Sequence, residues 1–166
     1  MRTYNWDFLD LFDGPKLQAL TIARRTPINP CPLRDITFPH FTCLTRLKLS
    51  CFKIDHIAVD QITKACPKLE ELVFFLCRVK SFLGDDEDTC RLLEMGIRCV
   101  IFDGGEISAR VLRKLLVRLA DRAKLQPDEA RIAVRAIRER GRGERNKIEK
   151  LEKEFSGIFE AILPTG

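Results

Sequence analysis

A six-position apolar figure recurs four times along this chain of 166 residues, and its spacing narrows the possible folds more than any other feature. The copies are Leu17-x-x-Leu20-x-Ile22, Leu44-x-x-Leu47-x-Leu49, Leu69-x-x-Leu72-x-Phe74 and Ile97-x-x-Val100-x-Phe102, and they start 27, 25 and 28 residues apart. Positions 4 and 6 lie two apart, so an extended strand turns both to one face, while position 1 enters the same core from the preceding turn. One copy alone cannot bury that face. Neighbouring copies must therefore stack.

A period of this length carrying this figure is the signature of a leucine-rich solenoid, with one strand and one return segment per turn. The expected fold is α/β: a short leucine-rich-repeat solenoid of about four parallel strands, near residues 19–22, 46–49, 71–75 and 99–102, with a C-terminal helical extension. Leu20, Leu47, Leu72 and Val100 should stack as one buried ladder. The second return is expected as a helix from Asp55, its N-cap, to Cys66, with Ile57, Ala58, Ile62 and Ala65 inward and Pro67 as its stop. Pro27, Pro30, Pro32 and Pro39 leave the first return without room for a regular helix. The third opens on Asp85, Asp86, Glu87 and Asp88, which suit a helix start better than a cation site, because four consecutive acids cannot converge on one ion. Side chains alternating with the core would form the concave, partner-binding face. Arg46, Lys48, Glu71 and Val73 are its candidate residues, beside Ala19, Thr21, Cys99 and Ile101.

Little in the composition points to chemistry. The seven cysteines include no C-x-x-C pair, and only His40 and His56 could join them as metal ligands. Scattered through apolar surroundings, they read as reduced, buried thiols of an intracellular protein, cytoplasmic or nuclear. Cys77 stands three residues after Phe74, where cysteine-type leucine-rich repeats place Cys or Asn. Asp103-Gly104-Gly105 lacks the further glycines and lysine of a phosphate loop and reads as a turn. No Ser-His-Asp or Cys-His set can be assembled, so catalytic residues, cofactors, metals and a small-molecule substrate are not expected. No apolar run reaches the roughly 20 residues of a membrane span.

The net charge of +5 is unevenly spread. Residues 108–154 hold 15 Lys and Arg against 8 Asp and Glu, whereas the rest of the chain is slightly acidic. That shift divides the chain into a solenoid, residues 1–107, and a basic helical extension, residues 108–166. The extension reads as three helices. Ser108 caps the first, which carries Val111, Leu112, Leu115, Leu116 and Leu119 and completes the last repeat. The second spans about 127–140. The third spans about 144–162, with Ile148, Leu151, Phe155, Ile158 and Ile162 at heptad-like intervals. The last two should pair as a hairpin through Ile132, Ile137, Ile148, Leu151 and Phe155. Arg131, Arg135, Arg138 and Arg142 would then form one helical stripe, either an RNA-binding surface or a solvated face balanced by Glu139, Glu144 and Glu149.

Two resemblances add to this reading. Phe38-Pro39-x4-Leu44-x2-Leu47-x-Leu49, followed by Ala65-Cys66-Pro67-Lys68-Leu69-Glu70-Glu71-Leu72-Val73, resembles the leucine-rich regions of F-box proteins, over about residues 8–102. That resemblance implies a substrate-recognition solenoid of a ubiquitin ligase. No F-box fits before Phe8, so a recognition fragment lacking its F-box is the expectation. Leu112-Arg113-Lys114-Leu115-Leu116-Val117, Glu129 to Arg138 and Lys150-Leu151-Glu152-Lys153-Glu154 are similar to ribosome recycling factors, which implies RNA-facing Arg131, Arg135 and Arg138. The first functional expectation is a non-enzymatic protein-interaction module. The alternative is an RNA- or ribosome-associated protein acting through its basic helices.

Overall fold

A computed structural model describes residues 16–24, 30–82, 97–125, 131–135 and 142–162. The strand expected in each of the four copies is present: β1 (Ala19–Ala23), β3 (Arg46–Ser50), β5 (Glu71–Phe75) and β7 (Cys99–Asp103). Short strands β2 (Cys31–Pro32), β4 (Phe52–Ile54), β6 (Arg78–Val79) and β8 (Glu106–Ile107) follow them. Helix α1 covers His56–Ala65 and α2 Ala109–Leu125. Beyond α2 come β9 (Arg131–Arg135), α3 (Arg142–Glu154) and β10 (Phe159–Ile162). The result is a mixed α/β architecture of two open parallel sheets, with strand orders β1-β3-β5-β7-β9-β10 and β2-β4-β6-β8.

Register follows the apolar figure. Leu20, Leu47, Leu72 and Val100 are successive partners, and so are Ile22, Leu49, Phe74 and Phe102. Leu47, Leu72 and Val100 are buried, while Leu20, on the edge strand, is half-buried and packs against the core. Phe74 stacks on Phe102 at 5.4 Å between ring centroids, and Phe82 closes on both. Backbone bonds outside the ladders repeat with the same period. The Gln18 carbonyl accepts from the N–H groups of Thr45 and Arg46, Thr45 from Glu70 and Glu71, and Glu70 from Arg98 and Cys99, all at 2.8–3.1 Å. Each second-position carbonyl thus ties its own copy to the next, leaving few strand-entry groups unpaired.

The corner between the sheets also repeats. Cys51, Leu76 and Gly104 follow strand-end residues that are register partners, and all three have positive φ, 65°, 51° and 65°. A left-handed residue turns the chain sharply from one sheet into the other. The next position can be crowded: a Cβ on Gly105 would lie 2.2 Å from the Cys77 carbonyl oxygen. Asp103-Gly104-Gly105 is therefore a turn demanded by packing.

The return segments follow their local sequence. Among the described residues of the proline-rich first return stands a 3-10 turn, Leu33–Asp35. In the second, the Asp55 carboxylate accepts from the Ala58 N–H at 3.0 Å and starts α1, whose C-cap is Cys66. Its inner face is Ala58, Val59, Ile62, Thr63 and Ala65. Ile57, expected inside, is 41% exposed because it falls a third of a turn off that stripe. The acidic third return, Asp85 to Asp88, lies outside the described residues. Helix α2 meets its expectation: the Ser108 hydroxyl accepts from the Val111 N–H at 3.2 Å, and Leu112, Leu115, Leu116 and Leu119 are buried.

Past α2 the structure departs from the sequence reading. Residues 131–135 form a strand, not part of a helix over 127–140. Ile132 and Val134 pair in register with Val100 and Phe102, extending the main sheet to a fifth strand. A short apolar run fits either period, and the open edge of β7, with its unpaired N–H and C=O groups, selects the strand. Helix α3 likewise stops at Glu154, short of 162; Gly157, at φ 95°, stands in the turn beyond it, and β10 pairs parallel with β9 as a sixth strand. Ile158 belongs to that turn and Ile162 to β10. The expected helical hairpin does not form. Ile148 and Leu151 are buried in the common core instead. The main sheet crosses residue 108 without interruption, with six parallel strands where about four were expected.

Candidate functional site

Period-2 alternation puts one set of strand side chains in the core and leaves the other on the opposite face of the main sheet. On that outer face the four candidate residues come together. Arg46 is the register partner of Glu71, and Lys48 of Val73. The Arg46 guanidinium donates from Nε and Nη2 to Glu71 Oε2, both at 2.9 Å. Arg46 stays 63% exposed, so this pair is worth at most about 1 kcal/mol. Lys48 Nζ lies 4.8 Å from the centroid of the Phe75 ring, a cation–π contact.

These contacts leave an apolar strip beside paired charges. Val73, Phe75 and Ile101 are all partly exposed; Val73 and Ile101 are register partners, and Phe75 pairs with Asp103. Phe75 and Asp103 are absent from the face residues expected from the sequence, which stopped at the third and fifth positions of each copy. The strands run to the seventh, and the same alternation carried two residues further would have included both. At the far end of the sheet, Arg131 and Arg135 occupy register positions beside Cys99 and Asp103. Arg142 begins α3, and Arg138 lies outside the described residues. The four arginines are not one helical stripe, because a strand stands where the helix was expected.

Among the described residues Cys31, Cys43, Cys51, Cys66, Cys77 and Cys99 form no disulfide. Burial pushes the thiol of Cys66 up to about 12, and does the same for Cys77, holding both protonated and inert. Cys77 Sγ donates to the Leu49 carbonyl of the preceding copy at 3.3 Å, using its S–H to tie two turns together. Among the described residues no group of three His, Cys, Asp or Glu could hold a metal ion. None of the described helices is long and apolar enough to cross a membrane.

Stacked copies, a repeated left-handed corner and a Cys at the ladder position are the context for comparison with known proteins. The chain is distantly similar to an F-box/LRR-repeat protein. That relative, from Arabidopsis thaliana, is 28% identical over 110 residues, which cover 66% of this chain and 25% of the relative. The matched region thus spans about a quarter of the curated relative's length. No family model matches the chain, and no solved structure matches it.

Proposed function

We propose that the chain is a leucine-rich-repeat solenoid that binds a protein partner on its outer strand face, without catalysis. One observation carries the reading: the partly exposed strip of Val73, Phe75 and Ile101, set beside the Arg46–Glu71 pair and Lys48. Rigid side chains on a sheet, apolar in the middle and polar at the rim, are what a protein interface needs. The distant likeness to an F-box/LRR-repeat protein supports a protein-interaction role; substrate recognition for a ubiquitin ligase is the finer form of this proposal, as the F-box resemblance implies. Reduced thiols fit a cytoplasmic or nuclear setting.

The test is capture from nuclease-treated lysate by the wild-type chain and by the Val73→Lys/Ile101→Lys variant, with folding checked by circular dichroism. A protein retained by the wild type and lost from the folded variant supports the proposal. An identical set on both, or retention that disappears with nuclease, would defeat it.

A further inference from the structure

The side of the molecule opposite the outer face carries a second feature. There α2 and α3 pack together over the core, and between them lies a hollow of about 420 Å3, within the size range of ligand sites. Its floor is Ala109 and Leu151, both nearly inaccessible. Its walls are Arg110, Arg113, Lys147 and Lys150, with Glu154 the one acid among the described lining residues. Glu154 is engaged by Arg113 at 2.8 Å. Among the described lining residues cations outnumber carboxylates four to one, so the groove presents a surplus of positive charge that an anionic occupant complements.

We infer that this groove binds an acidic peptide segment of a partner protein. Chemistry favours a peptide over nucleic acid. Among the described residues no aromatic ring lines the groove to stack on a base, and Glu154 in the wall opposes an unbroken run of phosphates. Carboxylates spaced along a peptide can meet Arg110 and Lys150 while passing Glu154. The site is separate from the outer face, so it stands or falls independently of the interaction proposed there.

The experiment is fluorescence anisotropy on the full chain at low salt, with three labelled ten-residue probes: alternating Glu-Gly peptide, alternating Lys-Gly peptide, and oligouridylate. The Glu-Gly peptide should bind, weaken as salt rises, and lose about five- to tenfold in affinity with Arg110→Gln/Lys150→Gln. Lys68→Gln, exposed and outside the groove, should leave it unchanged. Both variants change exposed side chains, and unaltered thermal melts would confirm that they fold. The inference is overturned if the Glu-Gly peptide fails to bind, if the groove variant binds it as well as the wild type, or if oligouridylate binds more tightly and is lost with the same two substitutions.

Discussion

Gly105 sits so close to Cys77 that a single added carbon would overlap it, with 2.2 Å to the carbonyl oxygen and 3.0 Å to the backbone nitrogen. The contact joins β6 to β8 where the Glu106 N–H donates to the Cys77 carbonyl at 2.8 Å. Gly105→Ala should therefore cost about 1–3 kcal/mol through backbone displacement, measured by urea unfolding. Unchanged stability would mean that the two turns are not packed this closely.

The neighbouring corner predicts a contrast. Gly104→Ala forces an L side chain to φ 65° and should lose about 1–2 kcal/mol. Leu76 already bears such strain at φ 51° and is 36% exposed, so Leu76→Gly should be neutral or stabilising by up to about 1 kcal/mol. A clear loss on Leu76→Gly would show that its side chain contributes more than its backbone costs.

Core ladders predict graded effects. Leu47→Ala and Leu72→Ala should each cost about 2–5 kcal/mol, since both side chains are fully buried between strands. Leu20→Ala should cost less, because β1 is an edge strand and Leu20 is half-buried. Equal losses at all three positions would place another layer over β1.

The buried thiols give a pH dependence of known sign. Folding raises Cys66 and Cys77 to about 12, above the roughly 8.5 of an unfolded thiol. Between those values the folded state holds more protons, so this contribution is complete below about pH 8.5 and is lost as pH rises toward 12. Urea midpoints for the wild type should fall with pH above about 9 more steeply than for Cys66→Ala/Cys77→Ala. Parallel curves would contradict the assignment.

The arginines expected to face RNA now divide between a strand, a helix start and undescribed residues. Arg131→Ala/Arg135→Ala should leave RNA retention at low salt unchanged. A loss of retention, with the logarithmic salt slope reduced by about one for each lost contact, would restore the RNA reading.

What the sequence disclosed depended on position 1 of the figure. Leu44, Leu69 and Ile97 marked three strands, and Leu17 the first, because an apolar entry residue plus two alternating positions is hard to produce by chance. The fifth and sixth strands have Glu129 and Ser156 at that place, so only Ile132-x-Val134 and Phe159-x-Ala161 remained to announce them. Flanked by Arg and Ala in the first case and by Ile and Glu in the second, those pairs satisfy a helical period as readily, and only pairing with an existing sheet edge decides between the two. Arg46 and Glu71 were legible as neighbours from register alone. The groove between α2 and α3 was not, because Arg110 and Lys150 converge through helix packing that no local pattern records.

The central claim is that the outer strand face meets a protein, and site-specific photocrosslinking tests it most directly. A benzophenone amino acid in place of Phe75 keeps an aromatic at the apolar strip, and the same group in place of Val117, exposed on α2, serves as the control. In nuclease-treated lysate, the account predicts discrete protein adducts from position 75 that are absent from position 117. Adducts of equal yield from both positions, or none from position 75, would contradict it.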